Sequence, residues 1–126
     1  MSQRTILVID DEDDISNAIA RALKKEGFGV ITASNYKTAI NIIDNSTLDL
    51  VISDVMMPYT GGFDIVEYVK ENPNLKHLPV ILVTGMDKDI LYSSSIKANA
   101  ILQKPFDTAQ LMALVKSNLK QPAETE

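Results

Sequence analysis

The sequence predicts an α/β protein: a doubly wound, five-stranded parallel sheet of order 2-1-3-4-5, covered by five helices. Three observations carry that expectation. Short β-branched apolar runs alternate with stretches of helical periodicity through short connections, which makes successive strands parallel with a helix between them. The runs are continuous rather than alternating, as in strands buried on both faces. Polar residues suited to chemistry stand at their carboxyl ends, the edge of such a sheet where ligands bind.

Thr5-Ile6-Leu7-Val8-Ile9 reads as the first strand and runs into Asp10-Asp11. Asp13 or Asp14 suits the cap of a helix, since acidic side chains favour its positive end. That helix places Ile15, Ala18, Ile19, Ala22 and Leu23 on one stripe and stops at Gly27. Gly29-Val30-Ile31-Thr32-Ala33 is a short second strand. Asn35 caps a second helix with Tyr36, Ala39, Ile40 and Ile43 inward, widened by Ile42.

The third strand, residues 48–54, ends in Asp54 and breaks at Met56-Met57-Pro58 before Gly61-Gly62. A third helix follows, with Phe63, Val66 and Val69, or Ile65 and Val69, inward, and ends by Asn72-Pro73. The fourth strand, 78–83, runs into Thr84-Gly85. Residues 87–97 suit only a marginal helix, because Ser93-Ser94-Ser95 are poor helix formers. Ala100-Ile101-Leu102-Gln103 is a short fifth strand closed by Lys104-Pro105. Asp107 or Thr108 then caps a last helix with Leu111, Leu114 and Val115 inward. Residues 4–120 are expected to form one domain, and 121–126 a flexible tail.

Composition narrows the function. The 126 residues are 45% hydrophobic, ordinary for a folded domain. With no cysteine, disulfides and thiolate metal sites are excluded. The net charge of -5 argues against direct nucleic-acid binding. No apolar run is long enough to span a bilayer, and the N-terminus lacks a signal-peptide pattern, so a cytoplasmic location is the expectation. The single histidine, His77, falls in a polar loop and reads as a solvated residue.

In the expected topology the first and third strands are neighbours, which brings Asp10, Asp11 and Asp54 to one edge. Three such carboxylates repel one another unless a hard cation joins them. Mg²⁺ takes oxygen ligands, with Asp11 and Asp54 suited to direct coordination and Asp10 to a water-mediated contact. Met56 and Met57 are not thioether ligands for so hard an ion. Thr84 offers a hydroxyl, Gly85 an accessible backbone N–H and Lys104 an ammonium. Those are the groups that stabilise charge on a transferring phosphoryl. Asp54 is therefore read as a phosphoryl acceptor.

Four stretches carry a resemblance: Ile6-Leu7-Val8-Ile9-Asp10-Asp11, Asp54-Val55-Met56-Met57-Pro58 with Gly62, Val83-Thr84-Gly85, and Lys104-Pro105-Phe106. In this order and spacing the chain resembles the receiver domains of bacterial two-component response regulators, stand-alone type, from Ile6 to about Leu119. The resemblance implies a flavodoxin-like receiver fold with Asp54 as phosphoacceptor. It implies Mg²⁺ held by Asp10, Asp11, Asp54 and the Met56 backbone carbonyl, and phosphoryl oxygens bound by Thr84, Gly85 and Lys104. The implied donor is a sensor histidine kinase or histidine phosphotransfer protein, and phosphorylation would switch binding to a downstream protein partner. Such a domain catalyses its own phosphorylation and dephosphorylation, yet is mainly a signalling switch.

Two departures stand out. The family usually carries Tyr or Phe at the switch position three residues before the lysine, and here that residue is Ile101. The stretch between Thr84 and Lys104 is also about two residues shorter than the usual pattern. Ile101 is stiff at χ1 and small, so the signal is expected to travel through the loop after Thr84 and residues 87–97 instead.

Competing readings fare worse. A flavodoxin-like cofactor binder needs backbone N–H groups facing a phosphate after the first strand, where the acidic residues 10–14 would repel it. An aspartyl-phosphate phosphatase needs an acid two residues after its nucleophile, where this chain has Met56. A pseudo-receiver acting as a phosphorylation-independent interaction module is the remaining alternative.

Overall fold

The computed structural model describes residues 3–55, 61–85 and 98–119 of the chain. Five strands, β1 (Thr5–Ile9), β2 (Gly29–Ala33), β3 (Leu50–Asp54), β4 (Val80–Thr84) and β5 (Ala100–Gln103), form one sheet of order β2-β1-β3-β4-β5. Every neighbouring pair is parallel. The helices among the described residues are α1 (Asp13–Lys25), α2 (Tyr36–Asn45), α3 (Gly62–Glu71) and α4 (Thr108–Asn118). The further helix expected over 87–97 lies outside the described residues, as do Met56, Met57 and the 121–126 tail.

The sheet divides two apolar layers, as strand alternation requires. Leu7, Ile9, Val51, Leu82 and Ile101 face α2 and α3, packing with Ala39, Ile43, Ile65, Val66 and Val69. Ile6, Val8, Leu50, Ile52, Ile81, Val83 and Leu102 face α1 and α4, packing with Ile19, Leu23, Leu111, Met112 and Val115. All five residues of β3 and of β4 are buried, whereas the edge strand β2 is half open.

Strand starts are pinned by side chains. Thr5 N–H donates to Asp49 Oδ2 at 2.8 Å while Asp49 N–H donates back to the Thr5 carbonyl at 2.8 Å. That closed pair is why β3 begins at Leu50 and not at Leu48 as expected. Val80 N–H donates to Asn99 Oδ1 at 2.9 Å, and the same oxygen accepts from Lys70 Nζ at 2.9 Å. The donor-less Pro79 stays outside β4, although its carbonyl still accepts from Val51 N–H at 2.9 Å.

Helix ends largely follow the sequence. Asn35 caps α2 by accepting from Thr38 N–H at 2.8 Å, and Asp107 caps α4 by accepting from Gln110 N–H at 2.8 Å. Gly27 takes a left-handed φ of 95° just past α1. The cap of α1 is a correction: Glu12, not Asp13 or Asp14, occupies that position. Its N–H is held by Asp10 Oδ1 at 2.9 Å, so the chain turns into the helix one residue sooner. Asp13 and Asp14 then lie inside the first turn.

The buried stripes also differ in detail. In α1 it runs through Ser16, Ile19, Ala20 and Leu23, with Ile15 and Ala22 half-buried and Ala18 exposed. Ser16 tolerates burial because its hydroxyl donates to the Asp13 carbonyl at 3.2 Å. In α3 the inward residues are Ile65, Val66 and Val69, while Phe63 is 39% exposed. In α4 Met112 joins Leu111 and Val115, and Leu114 is only partly covered.

The β3–α3 connection is drawn tight at its ends. Gly62 N–H donates to the Val55 carbonyl at 3.1 Å. A Cβ on Gly62 would stand 2.5 Å from the Asp54 carbonyl oxygen and 2.8 Å from Leu82 Cδ2. Backbone cannot yield there as a flexible side chain could. Gly62→Ala should therefore cost about 1–3 kcal/mol in urea unfolding, the range for overpacking a tight site. A midpoint unchanged from wild type would contradict this close approach.

Candidate functional site

Pairing of β1 with β3 decides the site. Ile9 and Ser53 are register partners, so the residues that follow, Asp10 and Asp54, leave the sheet side by side. A carboxylate oxygen from each of Asp10, Asp11 and Asp54 lies within 4.8 Å of the others. Asp10 is 2% exposed and Asp54 6% exposed, while Asp11 is open to solvent. The three carboxylates expected from the sequence are thus together.

β4 and β5 bring the remaining groups to the same edge. Asp54 is the register partner of Val83, which puts Thr84 one residue beyond, fully buried. Thr84 in turn is the partner of Gln103. Lys104 N–H donates to the Thr84 carbonyl at 2.6 Å, continuing the β4–β5 ladder into the site. From there the Lys104 ammonium reaches Asp54 Oδ2 at 3.8 Å. The Lys104–Pro105 peptide bond is cis. Gly85 is exposed, and a Cβ there would meet nothing within 4 Å, so packing among the described residues does not demand glycine. Met56, whose carbonyl is the remaining expected ligand, lies outside the described residues. Ile101, three residues before Lys104 on β5, is 5% exposed in the α2–α3 layer. His77 is exposed, as expected of a loop residue.

One contact was not legible in the sequence: the Glu12 backbone N–H on Asp10 Oδ1. It depends on the local turn and leaves no mark in residue types. Electrostatics at Asp10 is correspondingly divided. Burial pushes its carboxyl up from 3.8 to about 6, opposed by the Glu12 N–H, reinforced by Asp54, opposed by Lys104 and reinforced by Asp11. The raised value, with burial its leading cause, is the mark of a carboxyl whose charged form is disfavoured where it stands. Three carboxylate oxygens, with Asp11 open to solvent and Asp10 and Asp54 buried, are the donor chemistry that small divalent cations take.

The chain matches the model of the response regulator receiver domain over residues 6–116. It belongs to that family. Among curated relatives, regulatory protein VanR of Enterococcus faecium is 35% identical over 118 residues, covering 91% of this chain and 49% of VanR. The chain spans about half the length of the curated relatives it matches. Among solved structures, the receiver domain of a signal transduction histidine kinase from Syntrophus aciditrophicus superimposes with a TM-score of 0.87 at 28% identity, covering 98% of this chain and 95% of that one. Response regulator TrrA of Thermotoga maritima, solved in complex with Mg²⁺ and BeF, gives 0.84 at 30% identity, covering 93% and 100%. The fold and the receiver-family resemblance read from the sequence are thereby shown. No helix among the described residues is long and apolar enough to cross a membrane.

The shift at Asp10 has a testable sign. A carboxyl whose folded pKa exceeds its unfolded value binds more protons folded than unfolded between the two. Its stabilising contribution is greatest below the unfolded value of 3.8 and is lost as pH rises through about 6. In chelator, Asp10→Asn should therefore gain stability relative to wild type as pH rises from about 4 to about 7. A difference between the two proteins that stays flat over that interval would refute the shift.

Proposed function

We propose that this receiver domain takes a phosphoryl group onto Asp54 in a Mg²⁺-dependent reaction, from a phosphohistidine on a sensor kinase or phosphotransfer protein. The observation that carries the reading is the convergence on Asp54: two further carboxylates within 4.8 Å and the Lys104 ammonium at 3.8 Å. Asp54 is a carboxylate whose Oδ attacks phosphorus while the nitrogen–phosphorus bond breaks, leaving its electron pair on the imidazole. Lys104 neutralises charge on the phosphoryl oxygens, and the Thr84 hydroxyl and Gly85 N–H donate to them. Asp10, Asp11, Asp54 and the Met56 carbonyl would hold Mg²⁺, which supplies positive charge to the transferring group when bound. The Mg²⁺–BeF complex of TrrA supports the same pairing of cation and phosphoryl-like group here. The resulting aspartyl phosphate would change the affinity for a downstream protein partner.

Acetyl phosphate with Mg²⁺ should add one phosphoryl group to wild type, read by intact mass. Asp54→Asn should remove that mass increment, whereas Ile101→Ala, remote from the reacting atoms, should keep it. Undiminished labelling of the Asn variant would assign the acceptor elsewhere.

The cation has its own readout. Mg²⁺ binding only the folded cluster should raise the melting temperature, by about 1.4 kcal/mol of stability at ten times its dissociation constant. Asp11→Ala should reduce that gain and, with less like-charge repulsion, stabilise the metal-free protein. Wild-type melting that ignores millimolar Mg²⁺ would exclude the site.

A further inference from the structure

The Thr84 hydroxyl poses an accounting problem. It belongs to a residue with no exposed surface, and every buried side-chain polar atom among the described residues has a hydrogen-bond partner. A threonine hydroxyl has one proton to donate and two lone pairs to fill. Once that proton points at a phosphoryl oxygen, the lone pairs need a donor from within the protein, because water does not reach them.

The sheet supplies one candidate. Gln103 is the register partner of Thr84 across β4 and β5. Ile101 and Leu82 belong to the α2–α3 layer, so two residues on in each strand Gln103 and Thr84 lie on that same face. Side chains of neighbouring strands on one face stand roughly 5 Å apart, a gap that the glutamine stem spans. The Lys104 N–H bond to the Thr84 carbonyl holds this register at the site itself. Gln103 is half-buried and borders an open cleft with Lys104 and Gln110, which gives its amide room to turn.

We propose that Gln103 is a positioning residue for phosphoryl transfer: in the phosphorylated state its amide N–H donates to the Thr84 hydroxyl oxygen and so aims the hydroxyl proton at the phosphoryl group. This rests on Asp54 being the acceptor. It also gives β5 a polar link to the phosphoryl group where Ile101 offers neither ring nor hydroxyl. Gln103 does not touch the reacting atoms and acts only through Thr84.

The test is a double-mutant cycle on the rate of labelling from acetyl phosphate with Mg²⁺, using Gln103→Leu, Thr84→Val and Thr84→Ser. Gln103→Leu should slow labelling roughly two- to tenfold, the factor carried by one neutral hydrogen bond. The same substitution should cost nothing further in Thr84→Val, which has no hydroxyl to aim, and should cost its full factor again in Thr84→Ser, which restores one. Urea unfolding of each variant separates this from a general loss of structure. Wild-type labelling speed in Gln103→Leu, or an equal slowing by it in the Thr84→Val background, would overturn the proposal while leaving Asp54 as acceptor. Failure of wild type itself to label would instead remove the functional reading on which the proposal rests.

Discussion

The structure turns on carboxylates held at the ends of two largely buried strands. β1 and β3 are buried almost throughout and lie side by side, so the chain has no freedom to spread Asp10 and Asp54 apart. Sheet hydrogen bonds and apolar packing on both faces impose that proximity. The electrostatic cost falls on Asp10, whose carboxyl is pushed up to about 6, with burial the leading cause. Folding thus holds an unfavourable charge arrangement, one that a bound cation would relieve in the proposed reaction.

Compensation comes from neighbours whose positions follow from the same sheet. The Glu12 N–H lies on Asp10 at the point where the chain turns into α1. Lys104 reaches Asp54 because β5 continues the β4 ladder past Thr84. Among the described residues, the Lys104 ammonium at 3.8 Å from Asp54 stands against a cluster of three carboxylates. At the same carboxyl end of β3, Gly61 and Gly62 approach the Val55 and Asp54 carbonyls more closely than a side chain allows. Backbone packing and the Lys104 contact thus both fix the end of the strand that carries Asp54.

Output raises a different question from chemistry. The face toward α2 and α3 holds Leu82, Ile101 and, at its upper end, the Thr84–Gln103 pair. Ile101 is packed as a core residue, 5% exposed and without ring or hydroxyl. A polar link at the top of β5, as proposed for Gln103, would connect this edge strand to the site in a way that the apolar packing beneath it does not.

Most of the fold and the candidate site was legible in the residues. Unbroken apolar runs such as Val80-Ile81-Leu82-Val83 suit strands buried on both faces, and their alternation with helical periodicity gives the fold class from the order of residues. Asp10, Asp11, Asp54, Thr84 and Lys104 stand at the carboxyl ends of such runs, and that placement makes their convergence a consequence of topology. Tertiary structure decided the rest. Ser16 is buried and Ala18 exposed because α1 is rotated to suit the strands beneath it, and a serine bonded to its own helix can follow. The acidic cap gave way to Glu12 because Asp10 captured its N–H. Gln103 became the neighbour of Thr84 only through the β4–β5 register. Each of these depends on which segments lie beside one another, a non-local relation that residue type and periodicity along one segment do not encode.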